Sequence, residues 1–359
     1  MLTKDFYFDL PSGLIAQYPS AQRGADRLMT LDRKTGETGH HRMDDLPSLV
    51  PAGAFMVFND SKVRKSRLYA IKESTGAKTE FLFISPLSSL FTTLYSSQWR
   101  VMVRNARKHK SGDVYRFPDG TEAEILPNAA LEGTEFRELG FRAPLTEDWF
   151  EQNGHIPLPP YISREDNAFD AERYQTVYAK EMGSAACPTA GLHFTEAMLR
   201  CLADAGIETA WVTLHVGLGT FLPVRTERLE DHTMHQEVYT VSEETAGRVN
   251  AAKQAGRPVL AVGTTSVRTL ESAYTENREE SIEKNGGVRA GEGATSIFIY
   301  PGYRFRVADA LFTNFHTPES TLLMLVSAFA GREHILNAYQ AAVEQRYRFF
   351  SYGDAMLIV

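Results

Sequence analysis

The chain has 359 residues, 43% hydrophobic and 23% charged, with a net charge of −7 and a pI near 5.9. That is ordinary globular composition, long enough for a large core and a second, smaller domain. No stretch approaches the roughly 20 uncharged apolar residues of a membrane span, and Asp5, Asp9 and Pro11 interrupt the amino terminus before a signal-peptide core develops.

A cytoplasmic protein with no membrane partner is therefore expected, with Cys187 and Cys201 as free thiols. An acidic chain should repel polyanions, yet its charge is segregated. Between Lys62 and Lys110 eleven Lys and Arg meet only Glu73 and Glu80, a balance of +9 that leaves −16 for the remainder. Such a segment is either a solvated basic face or the footprint of a protein that grips phosphates with one region.

In chain order, residues 1–66 open an α/β domain. From about Leu68 to Ala143, short alternating runs (TEFLFI, WRVMVR, DVYRF, EAEIL) separated by Gly, Asn, Asp and Ser predict a small antiparallel β domain, a barrel inserted over residues 67–150. The proline-rich Gly154–Arg164, GHIPLPPYISR, cannot be a helix and should carry the chain back. Residues 151–359 then complete the α/β domain. Here ETAWVTLHV, RPVLAV and ADALFTNF lack alternation, as strands buried on both faces do. Helices are expected over Ser320–Ala330, ended by Gly331, and over His334–Gln345. The fold class is α/β, with a main domain that is either barrel-like or an open sheet and an inserted antiparallel β-barrel.

In parallel α/β sheets, ligands bind where the loops leave the carboxyl ends of the strands. Three ends are decorated: His215 with Gly217 and Gly219; Gly263, Thr264, Thr265 and Ser266 before a helix; and His316 before a helix headed by Ser320. A fourth segment, Gly183–Thr195, brings His193 among small and hydroxyl residues. Each histidine has the alternative of satisfying a backbone carbonyl; their coincidence at strand ends raises the site reading. His232, His235 and Glu237 in DHTMHQE suggest a metal, but HExxH is absent. So are a dinucleotide fingerprint, a Walker A lysine motif and a G-x-S-x-G elbow.

Taken together, LIAQYP (Leu14–Pro19) with Arg23 and Arg27, VFNDSKV (Val57–Val63), PLPPYI, Glu172–Thr195, the three strand-end segments, IFIYPGY (Ile297–Tyr303) and YRFFSYGDAMLI (Tyr347–Ile358) resemble the S-adenosylmethionine:tRNA ribosyltransferase-isomerase family of queuosine synthesis. The match runs nearly end to end and is weakest in the inserted β domain. Two departures stand out: Arg64-Lys65-Ser66 replaces the family's aliphatic-Pro-Ala turn, and Cys187 stands where alanine is common. The resemblance implies transfer of the ribosyl part of S-adenosylmethionine, as co-substrate, onto 7-aminomethyl-7-deazaguanine at the tRNA wobble position. Epoxyqueuosine forms, adenine and methionine leave, and no metal or further cofactor is needed.

His215, His193 and His316, read from the strand ends and the fourth segment, are the expected catalytic residues, and the chemistry the resemblance implies needs a neutral histidine or a carboxylate to remove a proton beside the sulfonium. Thr189, Gly191, Gly217, Gly219, Thr220, Gly263, Thr264, Thr265, Ser266 and Arg268 should bind substrate, the last five holding the donor carboxylate. Phe221, Tyr303 and Phe315 are candidates for facing the sulfonium. The tRNA grip is assigned to Lys62, Arg64, Arg67, Arg104, Lys108 and Lys110, and the expected oligomeric state is a monomer. The alternatives are a metal-dependent nucleotide hydrolase built on DHTMHQE and a non-enzymatic RNA-binding protein.

Overall fold

Apolar runs without alternation become a sheet covered on both sides. The computed structural model of the chain describes residues 1–87, 96–217, 224, 226–275 and 286–359. Among these residues the main sheet has nine strands, so of the two main-domain forms it is the open one. Its centre is four parallel strands in the spatial order Glu208–Leu214, Phe55–Asn59, Val259–Val262, Ala310–Asn314. Ala355–Ile358, Arg27–Leu31 and Thr38–Arg42 extend one side; Glu237–Val241 and Gly291–Thr295 extend the other.

Strand residues divide between two cores by their period of two. Phe55, Val57, Ala261 and Leu311 pack with the helices Glu243–Gln254, Thr264–Ala273, Thr321–Ala330 and Arg332–Glu344. Met56, Phe58, Leu260 and Phe312 pack on the other face against Leu46, Phe194, Met198 and Leu202. Because the four central strands are parallel, their carboxyl ends at Leu214, Asn59, Val262 and Asn314 share one edge. Asn59 ties two of them, accepting from Leu214 N and donating to Leu214 O, both at 3.0 Å.

The inserted segment forms a closed six-stranded antiparallel barrel from Arg67 to Leu145. Its alternation points Phe81, Phe83, Trp99, Tyr115 and Phe141 inward, and the helix Glu147–Asn153 adds Phe150 to this aromatic core. The chain crosses between barrel and sheet twice, and the crossings lie side by side: His155 N donates to Arg67 O at 2.8 Å, and Arg67 N to His155 O at 3.3 Å. Gly154 permits this approach, since a Cβ there would stand 1.9 Å from Lys65 O. The departing turn at Arg64–Ser66 is tight, with Ser66 N donating to Arg64 O at 2.7 Å. No helix among the described residues is long and apolar enough to cross a membrane.

Candidate active site

A cleft of about 690 Å³ opens where the carboxyl end of Glu208–Leu214 faces the barrel. Asp60, Glu181, His215 and Glu237 of the α/β part line it from one side and Ser85 and Pro86 from the barrel. Glu181, Met182 and Gly183 line it as well, and the residues that follow lace two chain segments together at its edge. Ser184 O accepts from Arg64 N at 2.9 Å, Ser184 Oγ accepts from Val216 N at 2.9 Å, and Ala185 N donates to Val216 O at 3.1 Å. His215 follows directly from its strand, and its Nδ1 is buried without a hydrogen-bond partner. Burial, then the Arg64 guanidinium, pushes its pKa down to about 4 against the pull of Glu181. The ring is therefore a neutral proton acceptor at neutral pH.

Asp60 stands beside it at the end of Phe55–Asn59. Burial raises its carboxyl pKa, opposed by the bond from Thr213 Oγ1 at 2.7 Å and reinforced by Glu181. Nothing about Asp60 in isolation marked it out; its signal was the VFNDSKV segment. Glu237 forms the inner wall, accepting from Gly217 N at 2.8 Å and from the Arg268 guanidinium. Its carboxylate thus faces an arginine and a backbone amide, while His232 packs on Phe298 and His235 on Phe136.

The other two candidate histidines have different surroundings. His193 is 2% exposed; its Nδ1 lies 2.7 Å from Asp26 Oδ2 and its Nε2 3.0 Å from Asn314 Nδ2. Asn314 also donates to Phe350 O and accepts from Thr189 Oγ1. The amide must then donate to Nε2, which leaves the imidazole proton on Nδ1 facing Asp26. Burial of Asp26 opposes its ionisation, but His193, Ser20 and Arg348 outweigh it and hold the carboxyl pKa low. His316 is also buried; its Nε2 lies 2.9 Å from Thr313 Oγ1, and burial lowers its pKa to about 3.

Gly263 requires its residue type, because its φ of 90° disfavours any side chain. Gly191 requires it by proximity, since a Cβ would stand 2.0 Å from the Tyr178 hydroxyl. Thr264, Thr265, Ser266 and Arg268 form a wholly buried helix start. Gly219, Thr220 and Phe221 lie outside the described residues. Phe315 sits in the core among Tyr339, Tyr347 and Phe349, and the Tyr303 hydroxyl donates to Glu271. Cys187 is a buried free thiol whose pKa burial raises, and Cys201 is exposed.

Of the basic residues, Arg64 is turned onto Trp99 and Phe150 and pairs with Glu147. Arg67 pairs with Glu80 at 3.1 Å, and Lys62 is half-buried in a short strand. Arg104, Lys108 and Lys110 are exposed, together with Arg107.

The family model described as queuosine biosynthesis protein matches residues 3–358. A protein of Treponema denticola named S-adenosylmethionine:tRNA ribosyltransferase-isomerase is 54% identical over 359 residues, covering 100% of both chains. One of the same name from Natranaerobius thermophilus is 48% identical, covering 100% of this chain and 99% of that one. The crystal structure of S-adenosylmethionine tRNA ribosyltransferase from Thermotoga maritima aligns with 99% of this chain and 100% of its own, at 34% identity and a TM-score of 0.53.

Proposed function

The chain belongs to the queuosine biosynthesis protein family, and we propose that it moves the ribosyl part of S-adenosylmethionine onto 7-aminomethyl-7-deazaguanine at the tRNA wobble position. Epoxyqueuosine forms, and adenine and methionine leave. The observation that carries this reading is full-length 54% identity to a protein named for that activity. The cleft supports it by offering a neutral histidine between sheet and barrel.

A sulfonium acidifies the adjacent 5′ carbon, and His215 is the group that removes a proton there to start adenine loss. Asp60, which holds its proton more tightly than an ordinary carboxyl, is the second proton-exchanging group; the incoming amine must be unprotonated to attack. His193 and His316, whose rings are engaged by Asp26, Asn314 and Thr313, act as positioning residues for the neighbouring strand ends. The boundaries 1–66, 67–150 and 151–359 divide the work, the α/β part taking the donor and the barrel approaching tRNA with Arg104, Lys108 and Lys110. Reduced thiols and a tRNA substrate both suit the cytoplasm.

Incubation with S-adenosylmethionine and precursor-bearing tRNA, followed by nucleoside mass analysis and an adenine assay, tests the reading. Adenine release should depend on the precursor base, and transfer of a labelled methyl group to tRNA would overturn it. The steps invoked are acid–base and electrostatic, and Glu237 is held by Arg268 and Gly217. EDTA should accordingly leave the rate unchanged; loss of activity restored by a divalent ion would refute that expectation.

A further inference from the structure

The helix Thr264–Ala273 begins at Gly263 without a side-chain cap and buries its entire first turn. Thr265 and Arg268 are three residues apart on one face, and helical side chains lean back toward the amino terminus, so the Arg268 side chain runs over the turn that carries Thr265. Arg268 is only 3% exposed. One of its terminal nitrogens, Nη1, donates to Glu237. Its Nε and Nη2 are buried with no partner among the described residues, and so is Thr265 Oγ1.

A buried guanidinium is normally satisfied, and an unmade bond to a charged group is among the costliest a protein retains. The two open nitrogens form one edge of the guanidinium, whose parallel N–H bonds match the two oxygens of a carboxylate. Glu237 balances the arginine charge and also lines the cleft beside His215, so Arg268 stands directly behind the cleft wall.

We propose that Thr265 and Arg268 form a recess for the carboxylate at the amino-acid end of the sulfonium donor, an inference that rests on the donor assignment above. The carboxylate takes the Nε–Nη2 edge and the Thr265 hydroxyl, which leaves the sulfonium and its 5′ carbon on the cleft side, toward His215. A tRNA phosphodiester is disfavoured as the occupant because so deeply buried an arginine admits only a slender terminal group.

The test compares S-adenosylmethionine with its decarboxylated analogue in adenine release at saturating precursor tRNA. The variants are Thr265→Val, which removes only the unpartnered hydroxyl, and Arg268→Lys, which keeps a cation opposite Glu237 and removes the fork. Wild-type enzyme should favour the carboxylated donor in kcat/KM by roughly a hundredfold or more. Both variants should shrink that preference, mainly by raising KM for S-adenosylmethionine, while the decarboxylated donor responds little. Thr265→Val should keep or raise the unfolding temperature, so it decides the matter even if Arg268→Lys does not fold. Equal use of the two donors by wild-type enzyme, equal slowing of both donors by the variants, or destabilisation by Thr265→Val would each overturn the recess. Absence of adenine release from either donor would instead sink the functional reading, and the recess with it.

Discussion

His215 and His316 are held neutral by burial, with pKa values near 4 and 3 against 6.5 for an ordinary imidazole. A depressed folded pKa means that the unfolded chain binds more protons between those values. The neutral rings therefore carry no penalty above pH 6.5, and stability falls as pH drops from 6.5 toward 4 and then 3. Each unit of displacement corresponds to about 1.4 kcal/mol. The Asp26 carboxyl acts in a different window, because its lowered pKa removes stability only as pH falls through the acid range below 3.8. Urea midpoints measured from pH 7 to 4.5 should decline, and His215→Gln should flatten that decline; a flat wild-type profile would show that neither ring is so displaced. The same variant separates chemistry from folding. It should lower turnover more than about tenfold while the unfolding temperature is retained, and a folded variant with near-normal turnover would remove His215 from the chemistry.

At the level of elements, the two chain crossings between sheet and barrel depend on Gly154. An added Cβ would strike backbone on both sides, Lys65 O at 1.9 Å and Phe150 O at 2.6 Å, and no side-chain rotation relieves such a clash. Gly154→Ala should cost about 1–3 kcal/mol or more, seen as a lower unfolding temperature; an unchanged temperature would mean that the crossings do not pack as described. The elements themselves were legible in the sequence, because burial on both faces and burial on one face leave different periodicities, as in Val259–Val262 against Lys78–Pro86. The convergence of His215, Gly263 and His316 on one sheet edge followed from parallel strands. What the sequence withheld was pairing over distance. His193 meets Asp26 and Asn314, which are 167 and 121 residues away, so its engaged ring left no local trace. Nor did DHTMHQE show that Glu237 faces Arg268 and Gly217 while His232 and His235 pack on Phe298 and Phe136.

Across the whole molecule, the +9 balance between Lys62 and Lys110 is partly cancelled once the chain folds. Arg64, Lys65, Arg67, Lys72 and Arg100 pair with Glu147, Glu151, Glu80, Asp113 and Glu138, and four of those five acids lie outside or at the margin of the basic stretch. The exposed cations that persist together, Arg104, Arg107, Lys108 and Lys110, lie on one loop of the barrel. That loop is braced from beneath: Arg137 donates to His109 O at 2.9 Å and to Ala106 O at 2.5 Å, His109 Nδ1 lies 2.6 Å from the Tyr115 hydroxyl, and Asp113 accepts from Lys110 N at 2.7 Å. Asn105 holds a positive φ of 56° at its start. Beside it runs an open groove, shared by Arg104, Arg107 and Lys108 with Leu158 and Pro160 of the return crossing. A braced row of cations on an otherwise acidic protein would confine a polyanion to that face, because like charge opposes approach elsewhere. Reversing Arg104, Lys108 and Lys110 to Glu should therefore weaken tRNA binding by well over about tenfold and make its logarithmic dependence on salt shallower by roughly two to three, one phosphate contact per cation. Donor use at saturating tRNA should hardly change, since the cleft proposed for the donor is walled by His215 and Glu237 of the α/β part. Affinities measured across a salt series decide the point: an unchanged affinity and slope would move the tRNA grip from the barrel loop to the α/β domain.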